Sequence, residues 1–259
     1  MIGLILGSAY HDAQPLGLEL TREEVGTPYG EVTLHRVVGH AAVVIFRHGL
    51  PHRWLPHQIP YRAQATALAR AGVTSLVVTS SVGILDPNIP LHEPLLIDDL
   101  VMLENQLPDG STCTLFEAPT RDHGHLVLDE GICAPSLGAQ IEALASTADC
   151  PIAGRVVFGY ARGPRTKTAA ENRAWRVLGA HVNSMSVGPE LVLANELGIP
   201  TAGLVIGHKY SVPGVAIEPG EGLARSLDRG RARFDRLLRL LVEQLRPVAF
   251  GNRLYRFDA

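Results

Sequence analysis

Aromatic residues are scarce in this chain, at 5% of its 259 positions. A core of large rings is excluded, so the interior has to be built from Ala, Val, Leu and Ile. Cysteine is scarcer still. Cys113, Cys133 and Cys150 are odd in number and widely spaced, which suits neither a disulfide frame nor a zinc site. Reduced thiols in a cytoplasmic protein are the expectation. No HExxH occurs among the histidines, and His48 and His52 lie in a Pro- and Gly-containing loop. No metal is therefore expected. No apolar run approaches the roughly 20 residues that span a membrane. The apolar stretch that opens at Ile2 has no basic segment before it, so no signal peptide is expected. Charge of one sign is not in excess: the net charge is −3, with both signs interspersed. That argues against a nucleic-acid footprint.

What the chain does have is 46% hydrophobic and 19% charged residues, a globular balance. Apolar, mostly β-branched runs recur at residues 2–6, 42–46, 75–79, 95–97, 155–158, 181–184 and 201–206. They do not alternate, as expected of strands buried on both faces. Helical stretches are read at residues 61–71, 135–146, 168–178, 189–197 and 223–245, with Gly72, Gly179 and Gly198 at or near helix ends. In the last of these, Leu237, Leu238, Leu240 and Leu241 face inward and the arginines face solvent. Residues 104–131 read as loop. The pattern is α/β, with a central mixed sheet flanked by helices. No linker or repeat divides it, so one domain over residues 1–259 is expected.

Residues 155–190 carry the most information. A strand is followed by Gly163-Pro164-Arg165-Thr166-Lys167-Thr168, and Glu171 lies three positions after Thr168. That spacing predicts a capping box opening a helix. A short strand then leads to Met185-Ser186, and Pro189-Glu190 opens another helix. Small polar groups at strand ends thus face helix N-termini, where an open α/β sheet binds ligands and favours anions.

This segment resembles the purine nucleoside phosphorylase family, in particular its trimeric branch with the 5'-methylthioadenosine phosphorylases. Members carry Gly-Pro-x-Phe-x-Thr-x-x-Glu and then Met-Ser/Thr-x-x-Pro-Glu. Here Gly163, Pro164, Thr168, Glu171, Met185, Ser186, Pro189 and Glu190 fit. The resemblance extends to Leu6-Gly7-Ser8, to Arg47-His48-Gly49 with His52, and to the stretch from Val78 to Gly83. It implies a nucleoside phosphorylase-like fold, a homotrimer, and no cofactor beyond inorganic phosphate as co-substrate. It makes Ser8, Arg47, His48, Ser81 and Ser186 phosphate ligands. It makes His52, Ser80, Val82, Gly83, Thr166, Lys167 and Met185 substrate-binding residues, with Met185 against the ribose.

The base end departs from the family pattern. Thr166 replaces the usual Phe, Lys167 a common Glu, and Pro60 an Asn. Where an Asn or Asp usually addresses the leaving base, an ungapped alignment places Lys209, with His208 beside it. Both are assigned catalytic roles as donors to the base, and both are read as cationic or nearly so. A site of donors suits a base rich in acceptors and matches an adenine amino group poorly. No histidine stands near Gly222-Leu223 for a 5'-hydroxyl. The implied reaction is phosphate-dependent cleavage of a nucleoside to a pentose 1-phosphate and a free base. A ligand-binding homologue and a nucleoside hydrolase are the alternatives. Arg47 is the one strong fixed charge of the phosphate set, and its removal is expected to abolish turnover and leave the fold intact.

Overall fold

The computed structural model describes residues 1–10, 15–118, 124–212 and 231–256. Unalternated Val, Ile and Leu runs become strands because a pleat covered on both sides takes apolar side chains on both faces. β1 (Ile2–Leu6), β4 (Ala42–Phe46) and β5 (Ser75–Ile84) are parallel neighbours. Their side chains feed two cores. Ile5, Ile45 and Val78 enter one, together with α1 (Tyr61–Arg70) and α4 (Gly188–Glu196). Leu4, Val44 and Val77 enter the other, with α2 (Pro135–Thr147) and α5 (Arg231–Gln244). The inward leucines of α5 are Leu237, Leu238 and Leu241, joined by Phe234; Leu240 is only partly buried. Residues 223–230 of the expected helix lie outside the described residues.

The sheet is mixed. Its order is β10-β6-β8-β9-β5-β1-β4-β3-β2, and β10 also pairs with β5. These strands are β2 (Leu20–Thr27), β3 (Gly30–Val37), β6 (Pro94–Val101), β8 (Gly154–Tyr160), β9 (Val182–Ser184) and β10 (Thr201–Tyr210). One edge of β5 pairs first with β1 and then, at Gly83 and Ile84, with β9. Its other edge pairs with β10 along nearly its whole length. A ring of five strands thus closes beside an open flank.

Three features differ from the sequence reading. β5 and β10 run past their apolar stretches, so Ser80, Ser81, Gly83, His208 and Lys209 lie within strands, not in turns after them. Backbone pairing continues the ladder there although the side chains turn polar. The β2–β3 hairpin has no apolar run to announce it, being charged and half exposed. Its turn is held by Thr27 Oγ1, which donates to Gly30 O at 2.6 Å, with Gly30 at φ 117. Within the stretch read as loop, β7 (His125–Val127) pairs with β11 (Arg253–Tyr255). Among the described residues, no helix is long and apolar enough to cross a membrane.

Candidate active site

The parallel strands β1, β4 and β5 all end on one side, with β10 running parallel to β5, and a cavity of about 610 Å³ opens there. This is the usual place for a ligand in such a sheet. Ser8, His48, Ser81 and Ser186 line it. So do His52, Ser80, Gly83, Thr166, Lys167 and Met185, and His208 with Lys209. The fold therefore gathers residues that lie far apart in the chain.

Arg47 is placed behind this wall. It is 0% exposed, at the end of β4, and its Nε donates to Glu190. Gly7 lets it in: a Cβ there would stand 2.9 Å from Arg47 Nη1. Among the described residues, neither Nη1 nor Nη2 has a hydrogen-bond partner. A buried cation with free donors is costly, and an anion at the Ser8 end would match it. Full burial also corrects the expectation that Arg47 can be removed without harm. Its loss would leave the Glu190 carboxylate buried and uncompensated.

Glu190 does more than pair with Arg47. Its Oε2 accepts from Val187 N at 2.6 Å. Val187 sits at φ 76, a strained conformation for a β-branched residue. The carboxylate thus braces the turn that presents Ser186, which is 5% exposed. Glu190 belongs to the Pro-Glu motif, yet nothing in the motif itself assigns it to the site.

His48 is neutral. Burial, then the Arg47 charge, lowers its pKa to about 4. Its Nδ1 lies 2.8 Å from Trp54 O, and a carbonyl only accepts, so Nδ1 carries the proton. Nε2 is left as an acceptor. His52 stacks on His48 with ring centroids 4.4 Å apart.

Met185 lines the cavity and packs over Gly163, where a Cβ would meet Sδ at 2.8 Å. Tyr61 Oη donates to Met185 O at 3.5 Å. The loop leading to Thr166 and Lys167 is tied down as the capping box predicts. Thr168 N donates to Glu171 Oε2 at 2.7 Å, and Glu171 N donates to Thr168 Oγ1 at 3.2 Å. Arg165 grips the same carboxylate with both terminal nitrogens, at 2.7 and 2.8 Å, and lowers its pKa to about 2.

At the Lys209 end of the cavity two expectations are corrected. His208 is not cationic: burial, then the Lys209 charge, lowers its pKa to about 4. Val82 contributes no side chain to the cavity. It is 0% exposed and packs in the core, and only its backbone meets His208. A register shift in β10 distinguishes His208 from Lys209. Gly207 opposes Val82 and Lys209 opposes Gly83, so His208 is the extra residue of a bulge. Both side chains then reach the cavity. Lys167 is half buried, and its pKa is lowered to about 8 by burial and by Lys209. It is no solvated surface lysine.

Asn172, Asn183, Ser184, Tyr210 and Ser211 also line the cavity and were not foreseen. Asn183 carried a signal, a carboxamide inside a short strand two residues before Met185. Gly222 and Leu223 lie outside the described residues.

A family model described as the phosphorylase superfamily matches residues 1–241. A 6-oxopurine nucleoside phosphorylase of Pyrococcus furiosus is 33% identical over 81% of this chain and 79% of its own length. A probable S-methyl-5'-thioinosine phosphorylase of Methanopyrus kandleri is 34% identical over 96% and 88%. An S-methyl-5'-thioadenosine phosphorylase of Pyrobaculum aerophilum is 34% identical over 76% and 70%. Among solved structures, a methylthioadenosine phosphorylase from Schistosoma mansoni in complex with adenine superposes with a TM-score of 0.81, covering 93% of this chain and 90% of that one. At 21% identity that likeness speaks for the fold alone.

Proposed function

The chain belongs to the phosphorylase superfamily, whose members similar to it are nucleoside phosphorylases, and from that premise we propose a specific reaction. It is the phosphate-dependent cleavage of the N-glycosidic bond of a purine-type or 5'-modified nucleoside, giving a pentose 1-phosphate and the free base. The observation that carries this reading is Arg47, buried, held by Glu190 on one side and with two unmatched donors on the other.

Phosphate takes those two donors and the hydroxyls of Ser8, Ser81 and Ser186. His48 Nε2 accepts a hydrogen bond from the hydroxyl of monohydrogen phosphate, which keeps its proton and stays a dianion. The sugar lies against Met185, with His52 and Ser80 close by. As the glycosidic bond breaks, positive charge grows on the anomeric carbon and negative charge on the base. The phosphate dianion steadies the first and then bonds to that carbon. Lys209 steadies the second by donating to the base, and Lys167 adds a further positive charge. His208, being neutral, contributes a hydrogen bond and no charge. Catalysis is then positioning and electrostatic stabilisation, with no covalent enzyme intermediate.

Base preference follows from the donors. Lys167 and Lys209 favour a base rich in acceptors over adenine, because two donors facing each other leave both unpaired. The names of the Pyrococcus and Methanopyrus relatives accord with a 6-oxo base; that of the Pyrobaculum relative does not. The same reading takes residues 1–259 as one domain, in the cytoplasm, assembled as a homotrimer. The test is base release from a panel of adenine, 6-oxopurine and carboxylated nucleosides, with and without inorganic phosphate. Release is expected only with phosphate, and best from acceptor-rich bases. Fast cleavage of 5'-methylthioadenosine would contradict the preference, and release without phosphate would contradict the reaction.

A further inference from the structure

We propose that Asn183 reads the base: its side-chain oxygen accepts the lactam N–H of a 6-oxo base, while Lys167 and Lys209 donate to that base's acceptor atoms. The proposal rests on the phosphorolysis reading for the identity of the cavity's occupant, and it names the group that selects it.

The first ground is an unmatched acceptor. Asn183 is 1% exposed and lines the cavity. Its Nδ2 donates to Asn172 Oδ1 at 3.1 Å. Oδ1 is then turned away from Asn172, and among the described residues it has no hydrogen-bond partner. A buried acceptor without a donor is costly unless a ligand brings one.

The second ground is register. Asn183 on β9 stands opposite Gly83 on β5, and Gly83 stands opposite Lys209 on β10. Directly opposed residues share a face of a sheet. Asn183 and Lys209 therefore flank a position with no side chain, two strand spacings or about 10 Å apart. A Cβ at Gly83 would come within 3.4 Å of Asn183 Oδ1 and within 2.3 Å of Ser211 Oγ. Glycine leaves this space to the Ser211 hydroxyl, which lines the cavity beside Asn183 and Lys209.

The third ground is the count of donors and acceptors. The two ammonium groups only donate, and the Asn183 oxygen only accepts. A lactam offers one ring N–H beside a carbonyl oxygen and ring nitrogens that accept. An amino-substituted base brings two N–H groups to a single acceptor and sets its amino group against ammonium donors. Lys167 titrates at about 8, so it remains mainly cationic at neutral pH.

The test needs no turnover. The whole protein, in phosphate, is titrated calorimetrically with hypoxanthine and with 1-methylhypoxanthine, which lacks the lactam N–H. The natural protein should bind hypoxanthine at least about tenfold more tightly. Asn183→Val, shown to be folded by its melting curve, should bind the two alike, and Asn183→Asp should keep the preference. Equal affinities in the natural protein, no binding of hypoxanthine, or a preference that survives in folded Asn183→Val would each overturn the proposal. Base release that ignores phosphate would overturn the phosphorolysis reading and leave this titration standing.

Discussion

Arg47 and Lys167 show how burial changes the meaning of a charge. Arg47 is 0% exposed and bound to Glu190, so two measurements separate its roles. Arg47→Ala should lose about 3 to 5 kcal/mol of stability, because it strands a buried carboxylate. Arg47→Lys keeps the charge and loses the planar fork. It should melt close to the natural protein, yet its kcat/KM for phosphate should fall about a hundredfold or more. Unchanged phosphate kinetics in a folded Arg47→Lys would show that the guanidinium does not hold the nucleophile. Lys167 gives a prediction in pH. It is cationic below about 8 and neutral above, so kcat/KM for an acceptor-rich base should fall as pH rises through that value. The limb should be missing from Lys167→Met. Stability runs the other way. The unfolded chain keeps that proton up to the ordinary lysine value of 10.5, so between about 8 and 10.5 unfolding takes up a proton and stability rises with pH. Neither behaviour was legible in the sequence. An arginine after an apolar run looks the same whether a carboxylate waits 143 positions away or not.

Elements were legible where a periodic signal or a cap was present. The box from Thr168 to Glu171 was read from spacing and forms as read, since a cap is decided within four residues. Thr168→Ala should cost about 1 kcal/mol of stability. It should also weaken activity toward the base, because Lys167 sits between Arg165 and Thr168, the two residues that brace the loop to Glu171. Melting curves and kinetics on one preparation check both. A cost in stability with no change in kinetics would show that the loop's order does not matter to the base. The β10 bulge was not legible. Spacing alone left His208 and Lys209 interchangeable, and only the pairing with Val82 and Gly83 shows that His208 is the bulge residue and Lys209 the paired one. The β2–β3 hairpin was missed for a related reason. Its strands are held by cross-strand partners such as Arg36 and Glu23, whose contact at 2.5 Å lies between segments and not within one.

At the scale of the whole molecule, a second cavity of about 510 Å³ adjoins the first and shares Lys167 with it. Leu103 on its rim is 71% exposed. Among the described residues, the buried Tyr160 hydroxyl has no partner. A neighbouring chain over this face would cover Leu103 and bury Lys167 further. Sedimentation equilibrium should return the mass of three 27.9 kDa chains, and Leu103→Glu should lower it. A natural protein that sediments as a monomer would remove the neighbour from the account. The central claim, however, is that phosphate and not water attacks the sugar. Turnover in heavy-oxygen water, with the sugar product weighed by mass spectrometry, tests it most directly. The account predicts a pentose 1-phosphate that carries no solvent oxygen at its anomeric carbon. Free pentose labelled at that carbon would contradict it.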